Sequence, residues 1–308
     1  MEDARCAICG SAERVRIYEQ KDRLHHVEGK FDLVRCLECK VHYLNPRPTI
    51  AELDRYYPQD YGPHRPRSDF RTFFQRFDAA FGYRKRCRAV TQRMHSGKLL
   101  DVGCGNGGFL AAMRDIGWDT LGVEINARAA CIAERDLGLN IFNGDLLEAG
   151  LPHGHFDVIT FWDVVEHLHE PLAYVAEARK LLKDDGLLVI STPDVGSVQA
   201  RLFGKYWAGL DAPRHLCVFS RPALGAFLEK AGFEIVETAY FTGGYKVFQL
   251  SVGFVIDELI RSRKVREAIR CVLGMPVTRA ALLPWFVALD LLDNGSVMTV
   301  FAKKDSRC

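Results

Sequence analysis

From Lys98 onward, short apolar runs alternate with longer amphipathic ones, which reads as strand, glycine-rich loop and helix in repeating series. KLLDVG predicts a strand, NGGFLAAMRDIG a helix stopped at Gly117, and DTLGVEI a second strand. NARAACIAERDLG follows as a helix, with Asn126 as N-cap and Gly138 as stop. LNIFNGD, FDVITFW, the helix PLAYVAEARKLLKDDG and the strand LLVIST continue the series. Ser220 caps a predicted helix RPALGAFLEKAG, FEIVETAYF follows as a strand, and SVMTVFAKK closes the chain as the last one. Strands alternating with helices in this way define an α/β fold built on a doubly wound parallel sheet.

Outside that core the pattern changes. Phe70, Phe73, Phe74, Phe77, Phe81 and Val90 recur at helical spacing and predict an amphipathic helix over 69–95, with Arg84, Lys85, Arg86 and Arg88 toward its end. The preceding YLNPRPTIAELDRYYPQDYGPHRPRS is rich in proline and marks a boundary; only AELDRYY within it reads as helical. Residues of about 243–294, rich in Leu, Val and Ile with a basic RSRKVR at 261–266, form a helical insert before the last strand. The expected divisions are 1–48, 49–97 as linker and helix, and 98–308 as the main domain.

Composition narrows the class. A chain of 308 residues, 48 % hydrophobic and 26 % charged, is ordinary for a soluble globular protein. The net charge is +2, but residues 1–98 carry 20 Lys/Arg against 13 Asp/Glu and the remainder 21 against 26. The basic excess is spread thinly, so a solvated surface is expected there and not a nucleic-acid interface. VFQLSVGFVI stops at Asp257, and AALLPWFVALDLL is broken by Pro284 and Asp290, so no run approaches the roughly 20 apolar residues of a membrane span. MEDARCAICG has no signal-peptide core, and a cytoplasmic protein with reduced cysteines is expected.

The first forty residues hold CAICG and CLECK, placing Cys6, Cys9, Cys36 and Cys39 as two CxxC pairs. That spacing suits a tetrahedral four-thiolate zinc site in a small β unit. Zinc would supply on the order of 10 kcal/mol of folding free energy to a segment too short and polar to fold unaided. With all four places filled by sulfur, the site is structural. Cys87, Cys104, Cys131, Cys217, Cys271 and Cys308 show no metal spacing.

The loop after the first core strand is DVGCGNGG, and Gly103, Gly105 and Gly108 satisfy GxGxxG, so a dinucleotide fold is a rival reading. Three acidic neighbours favour another ligand. Asp101 precedes the first glycine, where a carboxylate suits a cationic amine more than a pyrophosphate. Glu124 ends the second strand, where its oxygens can accept from two ribose hydroxyls, and Asp145 in NGDL can accept from an adenine amine. Together they outline an amino acid, a ribose and an adenine.

These segments resemble, in order, the first four motifs of the class I S-adenosylmethionine-dependent methyltransferases: LLDVGCGNGGF, VEIN, NGDL and FDVITFWDVVEHLHEP. The resemblance covers about 99–240 and implies a seven-stranded Rossmann-like sheet whose last strand runs antiparallel. It also implies that Asp101, Gly103, Cys104, Gly105, Asn106, Gly107, Glu124, Ile125, Asp145, Leu146 and Trp162 line the S-adenosylmethionine site.

FWDVVEHLHEP, after the fourth strand, is where chemistry is expected. If it turns helical, Asp163, Glu166 and His167 fall at i, i+3 and i+4 and share a face. A second histidine, His215, stands in DAPRHLCVFS past the fifth strand. The combination resembles ubiquinone-pathway O-methyltransferases and small-RNA 2′-O-methyltransferases, in which two carboxylates and two histidines hold a divalent ion. Asp163 is one methylene shorter than the glutamate usual there. Three readings stay open: histidines acting as base or substrate-orienting groups, ligands of a second divalent metal, or polar residues capping a helix end.

The ribbon followed by YLNPRP and a tyrosine-rich turn (Tyr56, Tyr57, Tyr61) resembles the zinc-binding head of bacterial methyltransferases of secondary-metabolite, sugar or cell-envelope pathways, and is expected either to wall the substrate pocket or to be a stabilising lid without ligand contact. The resemblance implies methyl transfer to a small-molecule hydroxyl of secondary-metabolite, quinone, phenol or sugar type. A zinc-ribbon RNA methyltransferase and a non-catalytic S-adenosylmethionine-binding protein are the alternatives. For the 243–294 insert, a substrate lid, a homodimer surface and a membrane-surface contact are the readings.

Overall fold

The computed structural model describes residues 1–58 and 73–305, and of 73–77 the backbone alone. Phe70, Tyr61 and the side chains of Phe73, Phe74 and Phe77 therefore lie outside the described residues. Strands β1 (Arg14–Gln20), β2 (Phe31–Cys36) and β3 (His42–Leu44) come first, followed by the short helix α1 (Ile50–Leu53) and the long α2 (Phe73–Thr91). The main domain then runs β4 (Lys98–Val102), α3 (Gly108–Arg114), β5 (Asp119–Glu124), α4 (Ala127–Leu137), β6 (Ile141–Asn143), β7 (Phe156–Trp162), α5 (Pro171–Leu181) and β8 (Leu182–Pro193). After α6 (Val198–Phe203), β9 (Cys217–Val218), α7 (Arg221–Lys230) and β10 (Phe233–Ala239) come the insert helices α8 (Gly244–Leu259), α9 (Arg263–Gly274) and α10 (Pro276–Leu291). Strand β11 (Val297–Lys304) is the last element.

Seven strands form the main sheet in the order β10-β11-β8-β7-β4-β5-β6. The strands from β8 to β6 are parallel, and β11 runs antiparallel to both its neighbours. Because successive strand residues face opposite ways, Leu99, Val158 and Val189 join one hydrophobic cluster while Leu100, Ile159 and Ile190 join the other. The sheet is thus buried on both faces, which is why its strands read as continuous apolar runs. Asn126 caps α4 by accepting from Ala129 N at 3.0 Å, and Gly138 closes it in the left-handed conformation.

Several expected boundaries shift. The helix after Pro171 ends at Leu181, and the following LKDDG joins β8 because Leu182 is fully buried in register with Phe156. Helix α2 ends at Thr91, where Arg93 and Met94 N–H groups both turn back to the Val90 carbonyl. Phe81 is 44 % exposed with the Lys85 ammonium over its ring, so the expected inward stripe of α2 does not extend to it. Ser220 precedes α7 without a side-chain capping bond.

The second sheet, β1-β2-β3-β9, joins the two ends of the architecture. Cys6 and Cys9 precede its first strand, Cys36 ends β2 and Cys39 lies in the turn before β3, while its fourth strand comes from the main domain, two residues after His215. Leu44 N donates to Leu216 O at 3.0 Å, extending the same seam. Behind the seam lies Arg214, fully buried, whose guanidinium donates to Asp22, Asp211 and the Tyr56 carbonyl at 2.6–3.1 Å. Its bonds hold both carboxyls below the usual aspartate range despite burial.

Replacing Arg214 with methionine strands two buried carboxylates. The expected cost is about 3–5 kcal/mol, read as a lowered urea midpoint of the full chain; an unchanged midpoint would contradict the role assigned to this cation.

Candidate active site

The loop after β4 bends through three left-handed glycines, Gly103, Gly105 and Gly107, with φ of 69°, 54° and 73°. Gly103 has a second constraint: a Cβ there would stand 2.7 Å from Val164 Cγ2. Gly103 N and Cys104 N both donate to the Val123 carbonyl, which ties the loop to β5. Glu124, at the end of β5, completes the tie by accepting from Gly105 N at 2.7 Å and from Asn126 N at 2.8 Å. It is 4 % exposed, and burial raises its pKa. Asn106 accepts from Gly108 N, while Ile125 next to Glu124 is 71 % exposed.

Asp101 sits on the floor of this loop, 3 % exposed, and accepts from Thr160 Oγ1 at 2.6 Å. Burial pushes its pKa up to about 7, the charge of Glu124 adding to the effect while Thr160 and Arg86 oppose it. A buried acid in this state accommodates a cation better than a second anion. Asp145, beyond β6, has one oxygen accepting from Leu147 N at 2.8 Å and the other from the Tyr174 hydroxyl. It therefore caps the turn carrying Leu146, which is buried. Both oxygens retain lone pairs for a further donor.

At the end of β7, Trp162 packs edge-on against Phe109, 6 % exposed, and its buried Nε1 has no acceptor within the described residues. Arg86 from α2 lies over the indole at 4.9 Å and donates to Asp163 Oδ2 at 2.7 Å. Asp163 itself has φ of 58°, and Val165–His167 form a 3-10 turn. The shared helical face expected for Asp163, Glu166 and His167 is thus not formed. The left-handed residue directs Asp163 to Arg86 and to Ser191 Oγ, and it is not part of the cluster that the other two form with His215.

Glu166 and His167 instead meet His215. One ligand atom from each lies within 4.8 Å of the others. The two rings stand edge to face, 4.6 Å between centroids. His167 Nδ1 lies 3.0 Å from the Arg214 carbonyl and 2.9 Å from the Tyr57 hydroxyl; His215 Nδ1 lies 2.9 Å from the Gly209 carbonyl. A carbonyl only accepts, so both rings carry their proton on Nδ1 and leave the Nε2 lone pair free to act. Burial holds both pKa values down, that of His167 to about 3 with His215 beside it. Glu166 is fully buried; Oε2 accepts from Thr192 at 3.0 Å, and Oε1 has no partner within the described residues. Burial, with the nearby Asp163 charge, pushes its pKa far up.

Four sulfurs gather at the other end of the seam. Cys6 and Cys39 Sγ are 3.4 Å apart, Cys9 and Cys36 3.5 Å, and all four lie within 4.8 Å of one another. Zn–S bonds of about 2.3 Å give tetrahedral edges of about 3.8 Å, so the set fits zinc with little adjustment. Burial pushes the Cys9 thiol up, but the Ser11 N–H and neighbouring thiols outweigh it and hold it at about 7.

Sequence reading missed Thr192 and Arg214, gave Arg86 no role of its own, and noted Tyr57 only as part of a tyrosine-rich turn. Arg86 was visible only as one of four cations at a helix end, and nothing local distinguishes it from Arg84 or Arg88. Arg214 adjoins His215 in the quoted PRH segment, but its partner Asp22 is 192 residues away.

Fold and loop together define a class I methyltransferase sheet with its ligand loop after the first parallel strand. The methyltransferase-domain family profile matches residues 74–238, more than half the chain, and the chain belongs to that family. A probable S-adenosylmethionine-dependent methyltransferase of Mycolicibacterium smegmatis is 29 % identical over 177 residues, 55 % of this chain and 65 % of the relative. A ubiquinone biosynthesis O-methyltransferase of Cereibacter sphaeroides is 39 % identical over 103 residues, covering 31 % of this chain and 40 % of the relative. The chain thus spans less than two thirds of these curated relatives. A methyltransferase structure from Archaeoglobus fulgidus superposes with a TM-score of 0.51 at 20 % identity, covering 76 % of this chain and 100 % of that one. A putative sarcosine dimethylglycine methyltransferase from Galdieria sulphuraria gives 0.50 at 15 % identity, covering 82 % and 98 %. These two structures share the fold.

An acid raised in the folded state keeps a proton that the unfolded chain has already lost. Burying Asp101 should therefore cost progressively more as pH rises from about 4 to about 7, on the order of 4 kcal/mol in all. Asp101→Asn should show a flatter stability-against-pH curve over that window by urea unfolding; parallel curves would contradict the burial effect.

Proposed function

We propose that this protein transfers a methyl group from S-adenosylmethionine to a hydroxyl of a small-molecule acceptor. The observation that carries the reading is the pair of free imidazole Nε2 lone pairs on His167 and His215, just beyond the end of β7 in a loop-and-acid site of this family. When bound, S-adenosylmethionine supplies an electrophilic methyl on a sulfonium centre.

The chain's residues divide the work. Asp101 receives the ammonium of the methionyl part, and Arg86 beside it faces the carboxylate. Glu124 accepts from the ribose hydroxyls, and the loop glycines let the backbone approach. Asp145, Leu146 and Ile125 border the adenine, with Trp162 as a wall near the sulfonium. The fit rests on buried acids that form no direct ion pair among the described residues and on the orphaned indole N–H. His215 Nε2 accepts the acceptor's proton as the methyl group moves, with His167 orienting the hydroxyl. The nearby Asp211 and Asp163 charges favour the imidazolium that forms. The partial match to ubiquinone O-methyltransferases supports oxygen as the methylated atom; quinone, phenol, sugar and secondary-metabolite hydroxyls all fit the requirement for one ionisable acceptor group.

Zinc at Cys6, Cys9, Cys36 and Cys39 would hold the ribbon rigid, and with it β3, the strand that pairs with β9 behind His215. Its thiolate shell leaves no open place for substrate.

A second reading is favoured by the unpartnered Glu166 Oε1. With the two Nε2 atoms it offers mixed oxygen and imidazole ligands suited to a divalent ion, which would position and polarise the acceptor hydroxyl. Asp163 stands outside that set.

His215→Ala should keep S-adenosylmethionine affinity by calorimetry while turnover falls at least about tenfold; equal turnover would sink the base assignment. Elemental analysis separates the two readings, since the metal reading requires a second ion beyond the ribbon zinc and the base reading only one.

A further inference from the structure

Asp145 is gripped at both oxygens. Oδ1 accepts from Leu147 N at 2.8 Å, a bond within its own turn, whereas Oδ2 accepts from the Tyr174 hydroxyl, which comes from another element. Tyr174 lies in α5, three residues after Pro171 starts that helix, and its half-buried ring packs on the same core cluster as Phe142 of β6. Burial raises the Tyr174 pKa and the carboxylates of Asp145, Glu170 and Glu148 add to the effect, so the phenol keeps its proton and donates.

A carboxylate offers acceptors only. Held by Leu147 alone, the Asp145 group could swing its second oxygen about the Cβ–Cγ bond; with Tyr174 on that oxygen, such a turn breaks a hydrogen bond. The lone pairs left over therefore have a fixed direction. The 6-amino group of adenine presents N–H donors to them. A 6-oxo purine presents a carbonyl oxygen at the same place, and two acceptors then face each other with no proton between them. The 6-oxo ring does carry an N–H at the adjacent ring nitrogen, and a carboxylate able to turn could reach it. A carboxylate pinned at both oxygens does not.

We propose that Tyr174 is a positioning residue for the purine: its hydroxyl fixes the Asp145 carboxylate so that the site takes a 6-amino purine and excludes a 6-oxo one. Tyr174 acts through Asp145, so its role rests on Asp145 being the partner of the adenine amine.

The probes are S-adenosylhomocysteine, the demethylated product, and S-inosylhomocysteine, its 6-oxo counterpart. Calorimetry on the full chain should find the adenosyl compound at least about tenfold tighter than the inosyl one, the scale of one hydrogen bond to a charged group. In Tyr174→Phe, which keeps the ring and removes the hydroxyl, the ratio should shrink to less than about threefold. Because each ratio is taken within one variant, a loss of stability does not imitate a loss of selectivity. A merely structural role for Tyr174 lowers both affinities by the same factor and leaves the ratio, and that outcome overturns the proposal. Asp145→Ala separates the proposal from its premise. If this variant loses the ratio while Tyr174→Phe keeps it, the adenine assignment stands and Tyr174 has no part in it. If Asp145→Ala keeps the wild-type ratio, or the wild type shows none, the adenine assignment itself fails and the proposal with it.

Discussion

A buried guanidinium is tolerated only if every N–H finds an acceptor, and Arg214 meets that demand completely. Its five N–H donors are matched by five bonds, to both oxygens of Asp22, both oxygens of Asp211 and the Tyr56 carbonyl. Asp22 and Tyr56 belong to the N-terminal segment and Asp211 to the main domain, so the cation makes the two parts one folding problem. Its own carbonyl faces His167, and its neighbour in sequence is His215. The packing that joins the ribbon to the sheet therefore also fixes how the two imidazoles point.

The same desolvation operates on the acids. Asp101, Glu124 and Glu166 are all buried and all raised by burial, so the site carries carboxyls whose ionised forms are poorly compensated by the protein itself. Such a site gains most from a ligand that brings positive charge. A molecule with both an ammonium and a sulfonium meets that condition, and a dinucleotide with a pyrophosphate does not. Electrostatics thus separates two ligands that a glycine-rich loop alone leaves equivalent.

Most of the fold was legible because it is written in local periodicity. Strands buried on both faces read as apolar runs, Asn126 and Gly138 mark the ends of α4, and the antiparallel last strand followed from the family resemblance. The boundaries that moved did so where tertiary contacts overrode local pattern, as at Leu182, which the sheet captures from a predicted helix. The candidate site was legible less evenly. The segment FWDVVEHLHEP supplies two of the three groups in the cluster of Glu166, His167 and His215, but its helical reading failed at Asp163, whose left-handed backbone no spacing rule foresees.

The sequence by itself determined the alternation of strand and helix, the glycine loop with its acidic neighbours, and the two CxxC pairs, because each depends on residues close in the chain. Only the tertiary structure decided that Glu166, His167 and His215 converge while Asp163 turns to Arg86, and that β9 completes the ribbon sheet. Each of those outcomes is a competition for burial and hydrogen-bond partners among residues far apart in the chain, and local sequence does not record which partner wins.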